Sequence, residues 1–483
     1  MPHAVTQSCV GDGSCVFACP VNCIQPTPDD PAFELAEMLF IDPASCVDCG
    51  ACVAACPVDA IKPHHELEPA ELAFLEINAA YHDGPRRQRP PLAPVPPPLR
   101  VRDYGPGRAL DVAIVGSGPA AMYAADELLT ISGARVTVYE RLDRPYGLVR
   151  SGVAPDHRRT RRVTHQLDRI RQHSRLTMRL GVEVGRDVTH DGLLGRHDAV
   201  IYAIGAISDK RLEIPGAELP GVASATEFVG WYNGHPDFAD RQFDLSHRRA
   251  VVVGNGNVAL DVARILAVDP ETLTDTEIAP HALAALRQSK VEEVVIVGRR
   301  GPEHSAFTLP ELIGLSATEG VTLAVDAAAL PADPRDDDAK LQLLRSLAAR
   351  PRLGRTIELR YGLTPQRITG FGEVDGIDLA PTAGGEPEPT LGTGLVLTAI
   401  GYRGLAVPSL PFDEATGTVP NDGGRVVDPA SGEALSGTYV AGWIKRGPTG
   451  FIGTNKRCAQ GTVAALVDDH NAGRLKTARA AAA

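Results

Sequence analysis

Cysteine is absent from the whole stretch between Pro57 and Arg457, so the body of this 483-residue chain has no C-x-x-C pair for thiol–disulfide chemistry. Long apolar runs are missing too. No stretch of eighteen or more apolar residues occurs, which excludes a helical membrane span. The opening residues carry neither a basic n-region nor an apolar h-region, and we expect a cytoplasmic protein. Bases are scarce at one end only. Residues 1–84 hold 13 acids and a single base, Lys62, whereas residues 85–483 hold 47 of each. Without an overall basic balance, a nucleic-acid partner is not expected.

What the sequence does have is concentrated. Eight of its nine cysteines precede residue 57, and in a reducing compartment that density means metal or redox chemistry rather than disulfides. Half of residues 85–98 are proline, with arginines on either side and within, and such chain behaves as a semi-rigid spacer. Beyond it, β-rich runs (111–115, 135–139, 199–203, 250–253 and 293–297) alternate with helical stretches (120–130 and 258–266). This alternation predicts an α/β protein with parallel, doubly wound sheets. Two Gly-rich turns from strand to helix, at Gly116 and Gly254, predict two Rossmann-like dinucleotide-binding domains.

The cysteine spacing carries the most specific chemistry. Cys46-x-x-Cys49-x-x-Cys52-x-x-x-Cys56-Pro57 sets three thiolates for one iron–sulfur cluster, the fourth reaching a second cluster. Zinc, which takes its ligands from separated knuckles, fits this packing poorly. Upstream, Cys9-x-x-Asp12-x-x-Cys15-x-x-x-Cys19-Pro20 repeats the pattern with aspartate at the second position. The segment resembles the bacterial two-cluster ferredoxins, small α+β domains, over residues 1–80. The resemblance implies that Cys19, Cys46, Cys49 and Cys52 hold one [4Fe–4S] cluster, and that Cys9, Cys15 and Cys56 hold the other. A carboxylate is a weaker ligand for such a corner than thiolate, so the second site is expected as [3Fe–4S], or as [4Fe–4S] completed by Asp12 or water. Cys23 has no place in the pattern and reads as a small apolar side chain beside the cluster. Cys458 reads as part of a helix core.

In the first dinucleotide turn, Gly116-x-Gly118-Pro-Ala120-Ala follows a strand and opens a helix, and Glu140 ends the next strand. The glycines admit the pyrophosphate to the helix N-terminus, and the acid suits a ribose hydroxyl pair. In the second, Gly254-Asn255-Gly256-Asn257-Val258-Ala follows a strand, and the next strand is followed by Arg299-Arg300 instead of an acid. Two guanidinium groups there suit a 2′-phosphate, and so NADP(H) rather than NAD(H). The long separation between turn and arginines predicts an insertion around Asp269–Lys290.

Further blocks settle the resemblance of this part. They are Arg144-Pro-Tyr-Gly-Leu-Val-Arg150 with Gly152-Val-Ala-Pro-Asp-His157, Gly298-Arg-Arg-Gly-Pro302, Ala306-Phe-Thr308 with Glu311, Ile400-Gly-Tyr402, and Gly442-Trp-Ile-Lys-Arg-Gly-Pro-Thr-Gly450. They resemble the adrenodoxin-reductase-type ferredoxin–NADP reductases over roughly residues 108–470. That family's fold implies a split FAD domain with an inserted NADP domain. The expected layout is therefore ferredoxin 1–80, linker 81–106, FAD domain 107–205 and 400–472, NADP domain 206–399, and tail 473–483. The same resemblance implies FAD contacts at Ala120, Glu140, Leu148 and Val184, with Trp443, Gly450, Phe451 and Ile452 lining the flavin. It implies NADP contacts at Asn255–Val258, Arg299, Arg300, Glu311 and Gly450, and puts His157 near the flavin ring. Glu311 could pair with His157 in a catalytic role, but the position one turn further on is Gly314, which puts the pairing in question; a histidine bonding backbone is the alternative.

The function implied is an NADPH–ferredoxin oxidoreductase passing electrons to its own ferredoxin domain and on to an acceptor protein, such as a ferredoxin or a cytochrome P450. The absence of cysteine between Pro57 and Arg457 argues against a thioredoxin-reductase-like enzyme. A non-enzymatic alternative is an electron-transfer subunit of a larger, glutamate-synthase-like complex. Residues 154–181 hold eight arginines and two aspartates, and this stretch or the linker is expected to dock the acidic ferredoxin, unless it forms a solvated helix face.

Overall fold

The computed structural model describes residues 2–83, 99–101, 109–331 and 338–475. Most of the proline-rich spacer, and the expected tail beyond Leu475, lie outside the described residues.

The N-terminal unit is built from two similar halves. Short helices Ser14–Ala18 and Ala51–Ala55 each start at a left-handed glycine, Gly13 (φ 73°) and Gly50 (φ 72°). Each ends at a cysteine, Cys19 or Cys56, held extended by the proline behind it. Two antiparallel ribbons, His3–Val5 with Ile61–Pro63 and Ile24–Gln25 with Phe40–Ile41, complete the unit. The buried Asn78, on helix Ala73–Ala80, fastens the ribbons together. Its side-chain oxygen accepts from the Val5 and Ile41 amides at 3.1 and 2.8 Å, and its amide donates to the Val5 carbonyl at 2.9 Å.

Two large sheets form the rest. A seven-stranded sheet runs in the order 421–422, 425–427, 434–440, 199–202, 111–115, 135–140, 176–180. Its five consecutive strands from 434–440 to 176–180 are parallel. The C-terminal strand Ala434–Val440 thus sits in the same sheet as Asp111–Val115, although more than three hundred residues separate them. A six-stranded parallel sheet, in the order 222–224, 395–398, 249–253, 293–297, 355–360, 321–325, lies within the intervening chain. Strands such as Val251–Val253 and Val294–Val297 are buried on both faces, which is why they read as unbroken β-branched runs. The region of the expected insertion forms a turn at Pro270–Leu273 and the helix Pro280–Arg287.

The chain crosses between the two sheets at a short antiparallel ribbon, Ser208–Asp209 with Tyr402–Arg403. The N-terminal unit is packed against the body. Val10, Val58 and Ala60 share one apolar cluster with Val112, Ala121 and Val463. Ile313, from beside the six-stranded sheet, is buried in the N-terminal unit's own core.

Candidate functional site

At the first turn, Gly116 (φ +94°) passes so close to the Ala203 carbonyl that a Cβ would stand 2.6 Å from it. A Cβ on Gly118 would meet nothing within 4 Å, so the open side of the turn faces free space. Gly118 caps helix Pro119–Leu129 without a side-chain bond, leaving the first-turn N–H groups for a ligand. This is a cradle that fits a pyrophosphate. Glu140 is buried, and its carboxylate accepts from the Ser117 amide and hydroxyl (3.0 and 2.6 Å) and from the Leu142 amide (3.0 Å). Tyr146 sits at φ 88°, its amide donating to the Ser117 hydroxyl and its own hydroxyl bonded to Asp168. This bend brings Gly147 over Gly118 and starts the short helix Leu148–Ser151. Val184 bridges Val188 on the edge of the same domain.

The C-terminal segment closes over this turn. Gly442 (φ 75°) lies against Ala120, where a Cβ would come within 2.6 Å of the alanine methyl. Trp443 stacks at 5.5 Å on Tyr402 of the crossing ribbon and donates to the Thr449 carbonyl at 3.0 Å. Gly450 takes φ +79°, the Phe451 amide donates to Thr454, and Asn455 ties the Phe451 and Ile452 carbonyls.

The second turn repeats the first. Gly254 (φ +120°) would clash with the Ala399 carbonyl if it carried a Cβ, and Gly256 faces open space. Asn257 turns its side-chain oxygen to the Thr308 amide at 2.8 Å, fixing the start of helix Leu309–Ser316. The Asn255 carbonyl accepts from the Phe307 amide at 3.0 Å, and Val258 follows on helix Asn257–Ala267. Arg299 and Arg300 are exposed just past strand Glu293–Val297, and among the described residues neither pairs with a carboxylate. Two unneutralised cations beside a phosphate-sized cradle fit a dinucleotide with a third phosphate.

Between the turns lies a partly buried ionisable cluster. His157 Nε2 stands 3.8 Å from Glu311 and 3.7 Å from Asp261. The two side chains whose pairing Gly314 put in question thus stand near each other, with Asp261 equally close to the histidine. Asp261 was missed, as were the residues that hold it. Arg264, buried on the same helix, donates to Asp261 at 2.7 Å and grips Asp156 at 2.7 and 3.0 Å. Burial opposes ionisation of Asp156, but the Arg264 guanidinium outweighs it and holds the carboxyl at about 2. Glu311 is pushed above the usual carboxylate range, chiefly by burial. The available signal was the i, i+3 pair Asp261–Arg264 on an otherwise apolar helix, which exposed solvent does not explain.

The seven patterned cysteines fall into two groups. Cys19, Cys46, Cys49 and Cys52 line one pocket, with Cys23 at its wall 3.4 Å from the Cys19 sulfur. Cys9, Cys15 and Cys56 face Asp12. Burial pushes the Cys9 thiol up to about 11, helped by Cys56 and Asp12, and Cys15 is raised by burial and then by Cys9 and Asp12. Cys52 rises to about 11 by burial and by Cys46 and Cys19. Buried sulfurs that mutually resist ionisation fit a site where iron supplies the balancing charge. Asp12 is bonded to the Ser14 hydroxyl and lies 3.8 Å from Lys456. Cys458 is on the long C-terminal helix Thr454–Asn471, its sulfur accepting from the Gly442 amide at 3.2 Å.

The two groups face different ways. The Gly453 amide donates to the Val10 carbonyl at 2.7 Å, so Ile452–Gly453 lies directly on the Cys9 loop. Cys49 is exposed. Ion pairs frame the contact: Arg159 with Glu71 (2.5 Å) and Glu68 (3.1 Å), Arg162 with Asp59, and Lys340 with Glu37 (3.3 Å). Two members of the Arg-rich stretch thus do meet the acidic unit.

Comparison with known proteins follows this division. Residues 110–300 match the family described as pyridine nucleotide-disulphide oxidoreductase, and residues 8–60 match the 4Fe-4S dicluster domain. A probable ferredoxin/ferredoxin–NADP reductase of Mycobacterium tuberculosis is 57% identical, over 98% of this chain and 85% of its own. NADPH:adrenodoxin oxidoreductase, mitochondrial, of Arabidopsis thaliana is 40% identical, over 77% of this chain and 85% of its own. The solved structure of Mycobacterium tuberculosis FprA in complex with NADPH superposes with a TM-score of 0.72 at 43% identity, covering 77% of this chain and 87% of that one. Among the described residues no helix is long and apolar enough to cross a membrane.

Proposed function

This chain belongs to the ferredoxin/ferredoxin–NADP reductases, and on that footing we propose that it runs an electron relay inside one polypeptide, from NADPH to an exposed corner of its own ferredoxin domain. It is an oxidoreductase using NADPH, FAD and iron–sulfur chemistry. When bound, FAD accepts a hydride from NADPH and yields electrons one at a time, and iron–sulfur clusters carry them singly.

The protein's part is to hold and orient. FAD is assigned to Gly116, Gly118, Ala120, Glu140, Leu148 and Val184, with Trp443 and Gly450–Ile452 lining its ring, in a domain made of 107–205 and 400–472. NADPH is assigned to Asn255–Val258 with Arg299 and Arg300 on the 2′-phosphate, in the domain 206–399. His157 and Glu311 are assigned to the meeting point of the two cofactors, where a partly buried pair can hold a proton and keep water out. Cys19, Cys46, Cys49 and Cys52 hold a [4Fe–4S] cluster; Cys9, Cys15 and Cys56 hold a [3Fe–4S] cluster. The engagement of Asp12 by Ser14 and Lys456 supports the three-iron form, since it occupies the carboxylate that would otherwise serve as the fourth ligand.

One observation carries the relay: the hydrogen bond from Gly453 to Val10, which seats the flavin-lining segment on the Cys9 loop while Cys49 stays exposed on the ferredoxin. The acceptor is a redox protein that docks on the Cys49 face. The test is anaerobic addition of NADPH to the full chain, followed by optical and EPR spectroscopy of rapidly frozen samples. The expected result is a three-iron signal in the oxidised protein that vanishes at a rate independent of protein concentration, and its replacement by a second four-iron cluster in Asp12→Cys. A rate rising with protein concentration would show that the domains pass electrons between molecules, and absence of the three-iron signal would refute the cluster assignment.

A further inference from the structure

The cluster of His157, Asp261 and Glu311 has a visitor from the other end of the chain. Gln7, two residues before the first cysteine, donates its side-chain amide to Glu311 Oε2 at 3.0 Å. It reaches there because helix Leu309–Ser316 carries glycine at position 314. A Cβ on Gly314 would stand 2.3 Å from both polar atoms of the Gln7 amide, so any other side chain would push Gln7 away. The position that cast doubt on the site is thus the opening through which the ferredoxin domain enters it.

We infer that Gln7 is a positioning residue for the reductase site, acting through Glu311, so that docking of the ferredoxin domain completes the group of residues that meets NADPH. The inference rests on the assignment of His157 and Glu311 to that site. The physical argument concerns charge. Glu311 is half-buried, and a carboxylate in that position is favoured by each donor pointed at it and disfavoured by each neighbouring anion. From the segment before Arg158 it faces His157, with Asp156 behind. From helix Asn257–Ala267 it faces Asp261 and Arg264. The buried Tyr232 and the partly buried Tyr402 lie on the Asp261 side. At the start of its own helix, Glu37 accepts from the Leu309 amide at 2.7 Å and pairs with Lys340. Among the described residues Gln7 is the one neutral donor in direct contact with the Glu311 carboxylate from the ferredoxin side. It favours the ionised carboxylate, which is the form that pairs with His157.

The experiment uses the holoenzyme and the pH dependence of NADPH-driven ferricyanide reduction, with Gln7→Ala, Gly314→Ala, the double variant and Glu311→Gln. Losing the Gln7 hydrogen bond removes support for the ionised form, so the acidic limb should move up in pH by about one unit in Gln7→Ala. Gly314→Ala should move it equally, and the double variant no further. A thermal-unfolding cycle of Gln7→Ala with Glu311→Gln should be non-additive, a readout independent of turnover. If Glu311→Gln changes the limb and Gln7→Ala leaves it on the wild-type curve, the inference falls alone. If Glu311→Gln also leaves it unmoved, the assignment of Glu311 falls and takes the inference with it.

Discussion

Reversing two charges should undock the ferredoxin domain without harming the flavoprotein behind it. Arg159 is one-third exposed and bonds Glu71, whose side chain is only 14% exposed, as well as Glu68; Arg162 and Asp59 are both about half exposed. Burial works against Glu71, yet Lys62 and Arg159 together hold its carboxyl below the usual range. Exposed pairs contribute roughly 0.2–1 kcal/mol each, and the shielded Arg159–Glu71 contact belongs at the top of that range, so the three contacts give about 1.5 kcal/mol. Replacing both arginines by glutamate converts attraction into repulsion of similar size, a change of about 3 kcal/mol, or roughly a hundredfold in the docked-to-undocked ratio. The assay is stopped-flow mixing with NADPH, following iron–sulfur absorbance. Arg159→Glu/Arg162→Glu should slow cluster reduction at least tenfold at low salt, while ferricyanide reduction, measured at a pH well above the acidic limb that loss of Gln7 would shift, changes less than twofold. Salt alone should do less than the reversal, because Val10, Val58 and Ala60 seal the same interface with apolar contact that screening does not touch. Cluster reduction as fast in the double variant as in wild type at low ionic strength would refute electrostatic docking through this face.

Two more predictions concern the nucleotide side. Arg299→Ala/Arg300→Ala should raise the KM for NADPH by about 10- to 100-fold and leave that for NADH nearly unchanged, since only the former presents a 2′-phosphate to the two guanidinium groups; steady-state kinetics with both nucleotides decides it. Asp156 titrates near 2 in the folded chain, below its ordinary 3.8, so its pairing with Arg264 stabilises the fold above that ordinary value. That contribution, about 2 kcal/mol, is lost as pH falls from about 4 towards 2, and Asp156→Asn should abolish this part of the pH dependence in urea unfolding.

The parts of the molecule that sequence made legible are those in which neighbouring residues carry the chemistry. Cysteines two and three residues apart, or glycines at the end of a β-branched run, state their geometry locally, and both turns and both cysteine groups stand where that spacing puts them. The His157 cluster was only half legible. His157 and Glu311 could be named from motif resemblance, but Asp156, Asp261 and Arg264 come together by packing between a loop and a helix a hundred residues apart, and no local pattern announces such a meeting. Gln7 was invisible for the same reason at greater range, being 304 positions from its partner. Gly314 did leave a trace, as a departure from the expected pattern. Its meaning lay in what fills the gap, which belongs to another domain. Docking by the Arg-rich stretch was foreseen as charge complementarity, whereas the apolar seam beneath it was not, because nothing in the local sequence marks Val10, Val58 and Ala60 as contact residues.

The crossing ribbon of Ser208–Asp209 with Tyr402–Arg403 links the two nucleotide-binding halves where the chain passes between them. The ferredoxin domain straddles it, clasping one half through Arg159, Arg162 and Lys456 and the other through Glu311, Leu309 and Lys340. Any displacement of one half relative to the other would have to strain or break these contacts, so the ferredoxin domain ties the placement of each half to that of the other.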